Sequence, residues 1–183
     1  MISLTEPLFF DTDCLSAFLW VDQESILTTL YSGRIVIPNH VYNELSNPGL
    51  NYVKGLKAQI DTLVQIGQVS VQPIIVGSET YSLFQKLTRN PDPGHKIIGN
   101  GEAAAISMAK ECSGILASNN LRDISDYVRE YAIRHVTTGD IMKEALDASL
   151  FNEAQGNAIW QNMLSRRRKI GYQSFSDFLR AHP

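Results

Sequence analysis

Residues 8–20 read LFFDTDCLSAFLW, and two aspartates, Asp11 and Asp13, interrupt an otherwise apolar run. LFF reads as a buried strand and the segment through Leu15, Phe18 and Leu19 as a helix. An acid at the junction of two buried elements is costly unless something pairs with it. Asp13 has an ordinary reading as a helix N-cap. Asp11 lies deeper in the apolar sequence and points to chemistry.

Outward from that stretch the chain alternates short apolar runs with amphipathic ones. A helix is predicted over Gln23–Tyr31, closed by Gly33. RIVIP (34–38) reads as a strand, with Pro38 in the first turn of a helix carrying Val41 and Leu45. That helix stops before the Asn47-Pro48-Gly49 breaker. Residues 50–66 read as a helix. VSVQPIIV (69–76) reads as a strand that Pro73 confines to a sheet edge. A short helix follows over 78–88, then the loop NPDPGH (90–95). Asn100 is placed to cap a helix over 101–112. GILAS (114–118) is a short buried strand, Leu121–Arg134 a helix, HVTT (135–138) a last strand and Asp140–Ser149 a helix. This rhythm predicts an α/β domain over residues 1–149, with a parallel sheet flanked by helices on both faces. Residues 150–183 read as a helical extension packed on the same domain. It carries Trp160, a basic run RRRK (166–169) and SFSDFLRAHP.

The 183 residues are 44% hydrophobic, enough for one core, and 19% charged, which argues against general disorder. No run is long and apolar enough for a bilayer span, and MISLTEPLFF lacks the basic start of a secretion signal. Cys14 and Cys112 have no metal-site spacing, so both thiols are expected buried and the setting cytoplasmic. A formal net charge of -3 does not advertise a nucleic-acid binder, so such a role needs a local basic surface or bound cations.

In open α/β sheets ligands gather at the carboxyl ends of the strands. Four acids follow strands or open the next helix. Asp11 follows LFF. Glu44 lies in the helix after RIVIP. Glu102 opens GEAAAISMAK, on the face of Ala105, Ile106 and Ala109. Asp123 follows GILAS. Each alone has a structural reading. Glu44 suits a solvated helix, and Glu102 favours a helix N-terminus. Asn120 suits a cap with Asp123 at the third position. Their order along the chain is what suggests convergence.

Over about residues 7–138 the order of these segments resembles the PIN-domain ribonucleases. FFDTDCL is similar to their first motif, IPNHVYNEL to the second with Glu44, and GEAAAISMA to the third with Glu102. LASNNLRDI resembles the fourth, which in the VapC-like toxins places a hydroxyl, an Asn and an Asp where Ser118, Asn120 and Asp123 stand. The resemblance implies a three-layer PIN fold with a central, mostly parallel sheet. It also implies an Mg²⁺ or Mn²⁺ site and metal-dependent endoribonuclease activity, with an antitoxin protein as partner in the toxin branch. Two departures stand out. Glu102 replaces the usual Asp, and Asn119 and Asn120 stand where some relatives carry aspartates, which leaves Asp123 as the acid and Asp126 as a spare.

Crowded carboxylates repel without cations, and hard oxygen ligands suit Mg²⁺. On this reading Asp11, Glu102 and Asp123 ligate metal directly or through water. Glu44 serves a second metal or orients the water. Ser118 and Asn120 hold the water or an acid, and Asp13 supports them. Arg89, His95 and Lys96 on the loop before the third motif, Arg122, and Arg166, Arg167 and Arg168 in the tail are the candidate RNA contacts. Trp160, Tyr172, Phe175 and Phe178 either pack the tail or stack bases. The tail could also build a homodimer. Two other readings compete. FDTDCL also resembles the Asp-x-Asp motif of haloacid-dehalogenase-type phosphatases, with Asp11 as nucleophile, Asp13 as acid/base and TGD (138–140) with Asp147 as a late acidic motif. However, Cys14 stands where that family has Gly, and no lysine motif is evident. The other is a non-catalytic PIN-like module that binds RNA or protein.

Overall fold

The computed structural model describes residues 5–46 and 54–183. The Asn47-Pro48-Gly49 breaker and the start of the helix expected over 50–66 lie outside the described residues. In chain order the elements are β1 (Leu8–Phe10), α1 (Thr12–Leu19), α2 (Glu24–Leu30), β2 (Ile35–Pro38), α3 (Asn39–Leu45), α4 (Lys54–Gln65) and β3 (Val69–Gln72). There follow α5 (Glu79–Arg89), α6 (Asn100–Glu111), β4 (Ile115–Ala117), α7 (Leu121–Glu130), β5 (Arg134–Val136), α8 (Thr138–Asp147), α9 (Glu153–Ser165) and α10 (Phe175–Ala181).

The five strands form one all-parallel sheet in the order β3-β2-β1-β4-β5. The three inner strands, of three or four residues, hold because successive side chains turn to opposite layers, both of them dry, while the edge strands β3 and β5 are partly exposed. Leu8, Phe10, Ile35, Ile37, Ile115 and Ala117 join the layer that holds α1, α2, α8 and the tail. Phe9, Val36 and Leu116 join the layer of α5, α6 and α7. A one-residue slip would exchange every one of these side chains between layers. From β1 the chain builds outward to β2 and β3, then returns to lay β4 and β5 on the other side. The direction of winding therefore reverses between β1 and β4, and in open α/β sheets the carboxyl ends of the strands at such a reversal are where ligands bind.

Several boundaries differ from those read in the sequence, each for a local reason. β3 ends at Gln72, before Pro73, and Ile75 and Val76 are exposed rather than paired. It is an edge strand, as Pro73 requires. Gly99, not Asn100, caps α6. α7 stops at Glu130 because Ala132 turns with a φ of 51°, and the Ile133 amide donates to the Val128 carbonyl. No glycine marks that turn, so the helical pattern ran on to Arg134. Thr137 caps α8 through a reciprocal pair with Asp140, which removes both threonines of HVTT from β5. Pro38 ends β2 and stands at the cap of α3. Cys14 is buried, but Cys112 is exposed.

The tail packs into the layer of α1, α2 and α8. Trp160, Met163, Phe175 and Phe178 are buried in the core cluster that contains Phe10 and Phe18. The Trp160 ring lies 5.8 Å from both Phe175 and Phe178, and its Nε1 donates to the Tyr172 carbonyl at 2.9 Å. A Cβ added at Gly156 would come within 2.5 Å of the Phe175 ring, so glycine permits the contact of α9 with α10. Trp160→Ala should therefore destabilise the whole chain by about 3–5 kcal/mol. Urea unfolding should show one cooperative transition moved to lower denaturant. A separate early loss of the tail alone would contradict this packing.

Candidate functional site

The Asp11 amide donates to the Ala117 carbonyl at 3.0 Å, which extends the β1–β4 ladder by one residue and places Asp11 where the sheet reverses its winding. Its backbone leaves the strand and opens α1, so Asp11 is the N-cap, with Oδ1 accepting from the Cys14 amide at 2.7 Å. Asp13, the sequence-level candidate for that cap, instead lies exposed in the first turn. Asp11 is 1% exposed, and its Oδ2 is buried without a hydrogen-bond partner. Burial pushes its pKa up to about 7. The nearby Ser118 hydroxyl, which completes no well-formed bond to Oδ2, and the Cys14 amide oppose that rise, while the charges of Asp13 and Glu102 reinforce it.

Glu102 sits in the first turn of α6, where Oε2 accepts from the Gly99 amide at 3.3 Å. Its Oε1 accepts from Asn120 Nδ2 at 2.5 Å, and the same Nδ2 donates to Asp123 Oδ2 at 3.0 Å. Asn120 stands at the cap position of α7 but makes no capping bond through its side chain. It bridges two carboxylates instead. Partial burial raises the Glu102 pKa against the help of Asn120 and Gly99, and the charges of Asp13 and Asp123 add to the rise. Asp123 is held the other way. Lys96 Nζ donates to its Oδ1 at 2.9 Å, and Lys96 and Asn120 together lower its pKa. Lys96 also donates to the Arg122 carbonyl at 3.3 Å. Asp11, Glu102 and Asp123 thus form a chain of mutual influence, with Asp13 at its rim.

Glu44 has a different setting. Its Oε1 accepts from the Gly101 amide at 3.0 Å, and its Oε2 accepts from the Thr12 hydroxyl. A Cβ on Gly101 would lie 2.7 Å from Glu44 Oε2 and 2.8 Å from Thr12 Oγ1, so only glycine permits the contact. Glu44 therefore ties α3 to the first turns of α1 and α6. Thr12 and Gly101 escaped the sequence reading because a hydroxyl and a glycine are common helix-start residues with nothing local to mark a partner. Lys96 was singled out for RNA, and its service to Asp123 was not foreseen.

The remaining candidates sort by location. Ser118 is buried, and its hydroxyl accepts from the Asn120 amide at 3.3 Å. Asn119 is locked to Thr138, accepting from its amide at 2.9 Å and donating to its hydroxyl at 2.8 Å. Arg89 belongs to the last turn of α5 rather than to the loop, and His95 pairs with Glu130 at 2.8 Å. Asp126 pairs with Arg129 on the outside of α7. Arg122, Arg166 and Arg167 are exposed. Arg168 lies over the Trp20 ring and donates to Ser16 Oγ at 3.1 Å, so the basic run is partly pinned along α1. Among the described residues no three His, Cys, Asp or Glu side chains stand close enough to cage a metal ion as they are placed. The donor set nonetheless suits a hard, hydrated cation. It offers a buried carboxylate oxygen with no partner and a second carboxyl held above its usual range.

A family model described as a PIN domain matches residues 8–179, and no curated protein matches the chain. The chain belongs to the PIN-domain family, and its all-parallel sheet with helices on both faces is the nuclease-like fold of that family. That membership displaces the haloacid-dehalogenase reading, whose late acid Asp140 is occupied in capping α8.

The buried Asp11 gives a pH signature. Its folded pKa lies above the unfolded value, so the folded state binds more protons, and stability falls as pH rises from about 4 through about 7. Asp11→Asn keeps an equally good cap and removes the charge. In metal-free buffer the variant should match the parent near pH 4 and exceed it by roughly 2–4 kcal/mol at pH 8. Urea unfolding with EDTA across that range checks this, and parallel pH profiles would disprove it.

Proposed function

We propose that this chain is a divalent-metal-dependent endoribonuclease that hydrolyses RNA phosphodiester bonds. The observation that carries the reading is Asp11, a buried carboxylate with an unpartnered Oδ2 at the switch point of the sheet, electrostatically coupled to Glu102. A buried, unpartnered carboxylate oxygen costs the fold energy, and a bound cation would offset that cost. Asp11, Glu102 and Asp123 would hold Mg²⁺ or Mn²⁺, in part through the waters such ions retain. When bound, the ion supplies a coordinated water of lowered pKa and draws charge from the phosphate.

The protein's own contribution is position. Asn120 fixes Glu102 and Asp123 at one spacing from a single amide. Ser118 holds Asn120 in turn through its backbone amide. Glu44 sets the first turns of α1 and α6 against each other, and so sets the distance between Asp11 and Glu102. That makes Glu44 a positioning residue rather than a ligand. Lys96 neutralises Asp123 and, with Arg122, places positive charge beside the acids where a phosphate arrives. Arg168, pinned along α1 at Ser16, and the exposed Arg166 and Arg167 extend that charge. Arg89, at the end of α5, is a more peripheral contact. The Ser118, Asn120, Asp123 spacing extends the proposal to a VapC-like toxin restrained by a protein antitoxin.

Incubation of the protein with single-stranded RNA in Mn²⁺ should give internal cuts that EDTA stops. Asp11→Asn and Glu102→Gln should each lower the rate at least about 100-fold with unchanged circular dichroism. Tight RNA binding without cleavage in Mn²⁺ would establish instead a non-catalytic binding module. Asn120→Ala should weaken Mn²⁺ binding about 10–100-fold, read by electron paramagnetic resonance. An unchanged Mn²⁺ titration would remove Asn120 from the site.

A further inference from the structure

Asn119 and Leu121, the neighbours of Asn120, line a concavity of about 330 Å³ that none of Asp11, Glu44, Glu102 and Asp123 lines. That volume is at the lower end of the range for small-molecule sites. The 118–121 turn joins that cavity to the acid cluster. Asn120 bridges Glu102 and Asp123, while its neighbours Asn119 and Leu121 line the cavity. His135 and Asp140 come from the strand and helix that follow, and the opposite wall is the tail, with Lys169 and Tyr172.

The chemistry of the wall is specific. Leu121 and Tyr172 are large apolar groups left 46% and 37% exposed. Tyr172 is nevertheless rigidly held. Its ring meets Phe178 and His182 nearly edge-on, with centroids 5.6 Å from each, and its carbonyl accepts from the buried Trp160. An aromatic side chain anchored yet exposed has lost its conformational entropy in advance, as a stacking surface requires. Lys169 is exposed and makes no hydrogen bond or ion pair among the described residues. His135 Nε2 donates to the Ser118 carbonyl at 2.8 Å, so in the neutral ring Nδ1 is left as an acceptor. The Asp140 carboxylate, the one negative group in the wall named here, is engaged by the Thr137 amide and hydroxyl. A flat apolar wall, a polar edge and a free cation, one turn away from a phosphodiester-cleaving site, match a nucleotide.

We propose that this cavity is the base subsite for the nucleotide next to the scissile phosphate. Tyr172 and Leu121 take the base between them, and Lys169 meets the adjoining phosphate. The assignment rests on the nuclease reading and narrows its substrate to single-stranded RNA, because a base paired in a duplex cannot leave the stack without cost to enter a pocket.

The test measures binding in EDTA, with the full chain and a fluorescent eight-nucleotide single-stranded RNA. Tyr172→Ala should weaken binding about tenfold, and Tyr172→Phe should restore it. Lys169→Gln should lower the slope of log affinity against log salt by about one. A duplex of the same sequence should bind more weakly and ignore the Tyr172 change. Parent-like binding by both Tyr172→Ala and Lys169→Gln would overturn the subsite, as would equal losses for single strand and duplex. Mn²⁺-dependent cleavage by the parent, measured alongside, separates that failure from failure of the nuclease reading.

Discussion

The structure turns on one carboxylate removed from water. Asp11 ends the central strand, caps the first helix through Oδ1 and leaves Oδ2 buried without a partner. The ladder bond from its amide to Ala117 fixes it against β4, at the point where the sheet reverses its winding. The fold bonds one of its two oxygens. Burial is the chief cost of its charge, and the charges of Asp13 and Glu102 add to it. A cap alone would sit at the surface, where water relieves it. Burial at the switch point turns the same side chain into a demand for positive charge.

The surrounding acids answer that demand unequally, and the differences define their roles. Glu44 is fully engaged by the Gly101 amide and the Thr12 hydroxyl, which makes it a brace between helix starts. Glu102 and Asp123 share one Asn120 amide, so neither can move without the other. Lys96 offsets Asp123, and no lysine or arginine does the same for Glu102 among the described ion pairs. Positive charge is therefore supplied at one end of the acid row and lacking at the other.

The tail is part of this design at one remove. Trp160, Met163, Phe175 and Phe178 complete the core layer beneath α1 and α8. By burying them, the chain brings Lys169 and Tyr172 opposite the turn that carries Asn119 and Asn120. The same aromatic packing that stabilises α9 and α10 thus supplies the tail's wall of the cavity beside that turn. Arg168, held by Trp20 and Ser16, fastens the tail against the later part of α1.

Much was legible from local pattern. The short, unbroken apolar runs in LFF, RIVIP and GILAS marked strands buried on both faces, because a strand between two dry layers needs apolar side chains on each of them. The acids at strand ends were visible for the same reason, and their order carried the resemblance that the family match then supported. Helix ends without a sequence marker were not legible. Ala132 takes a left-handed turn with no glycine to announce it, and Asp13 looked as good a cap as Asp11 until the strand's end was placed.

What the tertiary structure alone decided is which of these groups meet. Thr12 and Glu44 lie 32 positions apart, Gly101 and Glu44 57, and Lys96 and Asp123 27. Their contact follows from sheet order and helix packing. The sequence by itself determined the strands, the helices and the supply of acids, since those depend on neighbours along the chain. The winding that returns β4 beside β1 determined that Asp11 is buried and feels the charge of Glu102. Only a folded sheet can bring residues so far apart in sequence together and bury one of them where its charge becomes costly.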